Sequence, residues 1–220
     1  MKTLTRALGE VVIVTIGILI AFSLDAWWDG RELASREQAH LRALGSDFRE
    51  NVERLSEMIE FQDGVSQSCG DLLAVARGEA ADSASIRALI SEVFNSNRYE
   101  PVMGAYEALV SSAGLTLISD ESLRASLAQF AAQVRNDYAE RFSEAQYFAF
   151  TREFAGRLRF FEDPKSVAGR PDAYADLLSD PRFQEFLTLR HASERDVAGR
   201  YRDLLEQAEA VLAQIESQPG

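Results

Sequence analysis

The sequence VVIVTIGILIAFSL, residues 11–24, decides how this chain is organised. It contains no charged residue, and only Thr15, Gly17 and Ser23 depart from strong apolarity. A helix of this length covers about 21 Å of a hydrocarbon core about 30 Å thick, so a span must extend into its flanks, to residues 7–28. The run therefore predicts a single transmembrane helix whose surroundings are a lipid bilayer.

The residues that flank the run fit the two membrane surfaces. Trp27 and Trp28 follow it, and paired indole rings are typical of the membrane–water interface. Glu10 precedes it, where an ionised carboxylate is costly. Either Glu10 reaches the headgroups and pairs with Arg6, or it contacts a polar group on another membrane subunit.

A cleaved signal peptide is the alternative to a retained anchor. Lys2 and Arg6 form a basic start, and residues 21–23 are small enough for cleavage. Glu10 within the segment and the tryptophan pair beyond it favour retention. Basic residues flank both ends, and we expect the N-terminus inside. The bulk of the chain is then periplasmic, on the inner membrane of a bacterium.

Helical periodicity continues after the anchor. The first apolar series recurs at intervals of three and four and is expected to end at Asp63–Gly64. It comprises Leu41, Leu44, Phe48, Val52, Leu55 and Ile59. A second long helix is predicted over residues 119–161. A third opens with the Asp180 cap and Pro181, with its apolar stripe over residues 197–215.

Shorter helices fill the intervals between the long ones. They are predicted at residues 65–77, 83–94, 103–112 and 172–179, and no segment is long enough for a sheet. Each long helix has an apolar stripe that must be buried, and three such helices joined by short ones are expected to form a bundle. The predicted fold is all-α: an N-terminal transmembrane helix running into a long helix, then an irregular helical bundle. The domains are residues 1–29, the anchor, and residues 30–220, the bundle.

Composition and motifs argue against several functions. The 23 basic and 35 acidic residues give a net charge of -12, so we expect no nucleic-acid partner. Cys69 is the only cysteine, which excludes an intrachain disulfide, and we expect it to be buried. Glu37 and His40 have the spacing of a di-metal bundle motif, but Thr188 stands where a second pair would need a glutamate before His191. We expect no metal site, no cofactor and no catalytic residue, and hence not an enzyme.

Aromatic side chains are concentrated between residues 147 and 161. They are Tyr147, Phe148, Phe150, Phe154, Phe160 and Phe161. The run either lines a ligand pocket or packs in the core or against another subunit, and its helical spacing favours packing.

Two blocks carry a family resemblance. The anchor contains Gly-Glu at residues 9–10 and Gly-Ile-Leu-Ile-Ala at residues 17–21. The central block PVMGAYEALVSSAGLTLI, residues 101–118, contains Ser-Ser-x-Gly-Leu. Together they resemble an uncharacterised family of bacterial single-span membrane proteins, although residues 25–28, Asp-Ala-Trp-Trp, depart from its asparagine-tryptophan pattern. The resemblance implies topology alone and brings no activity.

The central block itself has two readings. It predicts a short packed helix followed by a turn in which Gly114 adopts a left-handed conformation. This corner either completes the core or forms a docking surface with Arg98, Tyr99 and Glu100 at its rim.

These observations favour an interaction role. We expect a non-enzymatic, membrane-anchored accessory or scaffolding subunit of a larger membrane complex, for example respiratory or photosynthetic. Its partners would be the lipid bilayer and other membrane subunits or a second copy of itself. The alternative is an extracytoplasmic ligand-sensing helical module that works through a partner.

Overall fold

A computed structural model describes the backbone of residues 2–112, 114–136, 138–158 and 171–218, with the side chains of residues 2–14, 155–156, 158 and 171–173 outside the description. Over these ranges the chain is helical and contains no strand, which confirms the all-α prediction. The elements are α1 Lys2–Ala76, α2 Ser83–Val93, α3 Gly104–Ser112, a 3₁₀ turn Leu115–Leu117, α4 Glu121–Val134, α5 Tyr138–Leu158, α6 Pro171–Ser179 and α7 Pro181–Glu216.

The first helix is the dominant element. α1 has 75 residues, which at 1.5 Å per residue is about 110 Å. Residues 15–36, which we call the stalk, are exposed at every position, including Ile20 and Phe22. Among residues with described side chains, no helix is long and apolar enough to cross a membrane. Residues 10–14, with Glu10 and the start of the predicted anchor, lie outside the described side chains.

The prediction that the first long helix ends at Asp63–Gly64 is wrong. α1 continues through this point without a break because the apolar stripe resumes beyond it. Val65, Cys69 and Leu72 are all fully buried. A glycine inside a helix costs about 1 kcal/mol relative to alanine, and burying one apolar side chain contributes about 1.5–3 kcal/mol, so packing outweighs the glycine.

α1 and α7 form the centre of the bundle as an antiparallel pair. Arg49 Nη2 lies 3.0 Å from Glu216 Oε1 at one end, and Ser66 Oγ lies 3.0 Å from His191 Nδ1 toward the other. The Asp180 cap of α7 is confirmed, since its carboxylate accepts from a backbone amide in the first turn. The predicted stripe over residues 197–215 is buried.

The prediction of one helix over residues 119–161 is wrong. The chain breaks after Val134 into α4 and α5. At the break, the Gln133 carbonyl accepts a hydrogen bond from Arg200 Nη2 of α7 at 2.8 Å. Asp120 caps the start of α4. A side chain of α7 therefore binds the chain at the point where α4 ends.

The buried apolar side chains divide into two clusters. The first apolar cluster comprises Leu41, Leu44, Phe48, Leu55, Tyr106, Leu109, Ile118, Leu123, Leu127, Phe130, Ala131, Val197, Tyr201, Leu204, Ala208, Val211 and Ile215. The second comprises Val65, Cys69, Leu72, Ile90, Val93, Phe154, Tyr174, Leu177, Leu178, Phe183, Phe186 and Leu187. Between them along α1 and α7 lies a polar layer of buried side chains: Gln62, Ser66, Ser143, Arg190 and Glu194.

Candidate functional site

A buried ion pair is the centre of the polar layer. Arg190 Nη1 lies 3.1 Å from Glu194 Oε1, one helical turn away, and each side chain is only 4% exposed. Ser143 of α5 donates to the same Glu194 oxygen at 2.9 Å. Burial raises the pKa of Glu194, and Arg190 and Ser143 partly offset that rise. Such a pair is energetically expensive to bury and to break, because neither charge has water to replace its partner.

Arg190 also contacts the segment that follows α2. Its Nη2 donates to the Asn95 carbonyl at 2.6 Å, and its guanidinium carbon lies 4.6 Å from the centre of the Tyr147 ring. Tyr147 in turn donates to the Phe94 carbonyl at 2.8 Å. The buried Nε of Arg190 has no hydrogen-bond partner among the described residues. The guanidinium group is thus held by Glu194, Asn95 and Tyr147, and its Nε–H group alone lacks an acceptor in the described chain.

Residues 94–103, the connecting segment between α2 and α3, are held by side chains of the two central helices. Gln62 Nε2 donates to the Asn97 carbonyl at 3.0 Å, and the Tyr99 amide donates to the Tyr201 hydroxyl at 3.1 Å. Burial raises the pKa of Tyr201 to about 12, so this hydroxyl is neutral at physiological pH. Gln62 Oε1 is buried and unpaired within the described chain.

Asn51 of α1 also binds the connecting segment. Its Oδ1 accepts from the Val102 amide at 2.7 Å and from the Tyr99 hydroxyl at 2.6 Å, and its Nδ2 donates to the Val102 carbonyl at 2.8 Å. A segment without secondary structure must find partners for its backbone elsewhere. The buried polar residues of α1 provide them.

A cavity of about 440 Å³ opens where the connecting segment meets the polar layer and α5. Its buried lining consists of Gln62, Ser143, Arg190, Glu194, Val197 and Tyr201, and its remaining lining of Phe94, Asn95, Ser96, Asn97, Arg98, Glu140, Glu144, Tyr147 and Phe148. Glu140 Oε1 accepts from Arg200 Nε at 2.9 Å, but its Oε2 is buried without a partner in the described ranges. The volume lies within the range of small-molecule pockets.

Among the described residues, no group of three or more histidine, cysteine or acidic side chains is placed to hold a metal ion. The Glu37 carboxylate accepts from the Ser119 amide and hydroxyl at 2.6 and 2.7 Å. Cys69 is buried as predicted, and burial raises its pKa to about 12 against an opposing effect of Arg190. Its thiol is therefore protonated at neutral pH and a poor nucleophile.

The residues predicted at the membrane surfaces lie at the start of the described side chains. Trp27 and Trp28 are exposed, with ring centres 5.7 Å apart in an edge-to-face arrangement. The Arg31 guanidinium lies 5.4 Å from the Trp27 ring centre. The Glu10 side chain is outside the description, and all these membrane roles stay predictions.

The predicted docking residues divide between surface and core. Arg98 and Glu100 are exposed, whereas Tyr99 is half-buried and donates its hydroxyl to Asn51. A smaller cavity of about 200 Å³ contains all three of the predicted residues in its lining. The helix of the central block buries side chains in the first apolar cluster, and Gly114 has the expected positive φ, 73°. The core-completing role is thus present, and docking stays a prediction.

The aromatic run of α5 divides between core packing, as the sequence favours, and the wall of a cavity. Phe154 is fully buried in the second apolar cluster, and Phe150 packs against it. Tyr147 and Phe148 line the 440 Å³ cavity. Residues 160–161 lie outside the described residues.

The ion pair is absent from the predictions above, although the sequence carries a signal of it. Steps of three and four backward from Val197 reach Glu194, Arg190 and then Leu187, all of them buried. Charged residues at two successive positions of an apolar stripe indicate a buried polar site. The predicted stripe of α1 likewise included half-buried Val52, whereas the fully buried position is Asn51.

Comparison with known proteins gives a family but no activity. No curated protein and no solved structure matches the chain. One family model matches residues 10–144, which covers α1 from residue 10, the connecting segment and the start of α5. The sequence resemblance to an uncharacterised family is confirmed at that level. Since the match includes more than half of the 220 residues, the chain belongs to the family of unknown function DUF6090.

Proposed function

We propose that this protein is a non-enzymatic, single-pass membrane protein of the bacterial inner membrane that presents its helical bundle in the periplasm as an accessory or scaffolding subunit. Its partners are other membrane subunits, as in respiratory or photosynthetic complexes, or a second copy of itself. The observation that carries this proposal is the stalk. Its apolar side chains are exposed on all sides of one continuous helix, and exposed apolar surface of this extent requires a covering.

A lipid bilayer is the covering that the sequence favours. The uncharged run at residues 11–24 precedes two exposed tryptophans, and charged residues begin at Asp25. This order, from apolar run to aromatic pair to charged helix, matches the order of environments from hydrocarbon through headgroups to water. The predicted domain boundary at residues 29–30 falls within α1, so no linker separates anchor from bundle.

The location is tested with membranes and one engineered cysteine. The full chain should stay with membranes after alkaline carbonate extraction, and recovery in the soluble fraction would refute the anchor. Glu185 is exposed on α7, whereas the native thiol of Cys69 is fully buried. We expect Glu185→Cys to react with a membrane-impermeant maleimide in intact cells, with the unchanged chain as the unlabelled control. Labelling only after cell lysis would place the bundle in the cytoplasm.

The accessory role is tested by purification in a mild detergent and mass spectrometry. Stoichiometric co-purifying membrane subunits, or a stable homo-oligomer, support it, and a monomer alone contradicts it. Arg98→Ala combined with Glu100→Ala should release the partner without changing the unfolding temperature if the predicted rim is a docking surface. The matched control is Arg195→Ala with Glu185→Ala, two exposed residues on α7.

Ligand sensing is the second candidate function. The cavity favours it, because a polar space beside an incompletely satisfied buried ion pair lies directly against both central helices. A bound molecule would then alter the packing of α7 on α1 and act through a partner. A ligand that changes the yield of co-purified subunits would support this function, and unchanged yields under saturation would refute it.

A further inference from the structure

Three side chains that line the 440 Å³ cavity each contain one buried polar atom without a hydrogen-bond partner in the described chain. Gln62 Oε1 and Glu140 Oε2 are buried acceptors without a partner among the described residues, and Arg190 Nε is a buried donor in the same state. All three side chains line the cavity. Seven such atoms occur among the described residues, and three of them belong to side chains around this one cavity.

The charges around the cavity are also of both signs. Arg190 is paired with Glu194, and Glu140 with Arg200. Arg98 and Glu144 line the same cavity. Neither forms an ion pair with any residue of the described chain, so one positive and one negative group remain available at its mouth.

The rest of the lining is apolar and aromatic. Phe148 is exposed at the mouth, Tyr147 is half-buried beside it, and Val197 lies deeper. Aromatic walls accept both an apolar side chain and, on their faces, an ammonium group. A ligand that complements these two charges and the apolar walls therefore needs an ammonium group, an anionic group and a compact apolar part.

We propose that this cavity binds a small zwitterion of the α-amino acid class, with its ammonium group toward Glu144 and its carboxylate toward Arg98. Hydrogen bonds to charged groups are stronger than those between neutral groups, which suits a ligand with both charges. The cavity of about 440 Å³ has room for the ligand with some water. This inference names the ligand class for the sensing function, on which it rests.

The test uses the full chain in detergent micelles, with each proteinogenic L-α-amino acid as a probe in thermal unfolding, followed by calorimetric titration of those that stabilise. We expect one or more amino acids to raise the unfolding temperature. For the best of them, the amine without the carboxylate and the acid without the amine should each bind at least about tenfold more weakly, because each lacks one charged contact. If no amino acid stabilises the protein, or if either analogue binds as tightly as the parent, the proposed class is wrong.

Matched variants locate the site. Glu144→Gln and Arg98→Gln should each weaken binding at least about tenfold, since each removes one charge from the mouth of the cavity. Glu185→Gln and Arg195→Gln, exposed on α7 and outside the cavity lining, should leave affinity unchanged. Unfolding without ligand checks that all four fold. Equal losses of affinity in the controls and the cavity variants would show that the binding site lies elsewhere. None of these results affects the test of membrane anchoring above.

Discussion

The apolar clusters and the polar layer between them use the same two helices in different ways. In the clusters, α1 and α7 meet through side chains such as Leu55 and Leu204, whose contribution depends on area and little on direction. In the polar layer Ser66 of α1 contacts His191 of α7, while Gln62 and Arg190 donate to the connecting segment, and these contributions depend on every partner being in place. The clusters therefore supply stability, and the polar layer fixes the register of the helices and the position of the connecting segment.

The largest effect should come from breaking the ion pair on one side. Arg190→Met leaves Glu194 buried without its counter-charge, and we expect a loss of roughly 3–5 kcal/mol in the free energy of unfolding. Arg190→Met combined with Glu194→Leu should recover most of that loss, because neither charge is then left buried without its partner. Chemical denaturation of both variants measures the difference. A single variant as stable as the unchanged protein would mean that the pair is solvated.

Truncation in the first apolar cluster should have the next largest effect. Leu55 is fully buried on α1, and Leu55→Ala should lower the free energy of unfolding by about 2–5 kcal/mol through lost contacts and a cavity. Leu33→Ala, on the exposed stalk of the same helix, is the matched control and should change it little. If the two variants unfold alike in denaturant, the boundary between stalk and bundle is misplaced.

Removing one hydroxyl should have a smaller effect. Tyr201→Phe keeps the ring in the first apolar cluster but leaves the Tyr99 amide without its acceptor, so we expect a loss of roughly 1–3 kcal/mol. Hydrogen exchange should also accelerate at the connecting segment, residues 94–103, more than in α4. Uniform acceleration across both regions would show that the hydroxyl does not act locally.

The smallest effect should be on pH dependence. Burial raises the pKa of Glu194 above its ordinary value of 4.5, so the folded chain binds this proton more tightly than the unfolded chain. The contribution of this carboxyl to stability is complete below that ordinary value and declines as pH rises through the raised one. Relative to Glu194→Gln, the unchanged protein should therefore lose stability as pH rises above the ordinary pKa of 4.5. Unfolding temperatures below and above this pKa test the sign, and parallel curves would contradict it.

Periodicity predicted the helices well wherever one chain segment decides its own structure. The Asp180 cap and the buried stripe of α7 are local features, and both are present. Periodicity failed where contacts with residues distant in sequence determine the bounds of a helix. Packing on α7 carries α1 past Gly64, and Arg200 takes a carbonyl at the end of α4.

The candidate site was the least predictable part for the same reason. Its side chains come from α1, the connecting segment, α5 and α7, and their meeting depends on the antiparallel register of the two central helices. Of the predicted docking residues, Arg98 does lie at the cavity mouth, but no spacing along the chain links it to Glu194. Only the charged residues in the stripe of α7 signalled that the core was not uniformly apolar.

Because α1 is one continuous helix, the bundle and the stalk are mechanically coupled. Gln62, which lines the cavity, and Trp27, near the middle of the stalk, belong to one helix and are separated by roughly 50 Å along its axis. A helix of this kind conveys a twist or a piston-like shift along its axis with no joint to absorb it. Under the proposed sensing function, a change of packing around the cavity would reach the tryptophans as a displacement of α1.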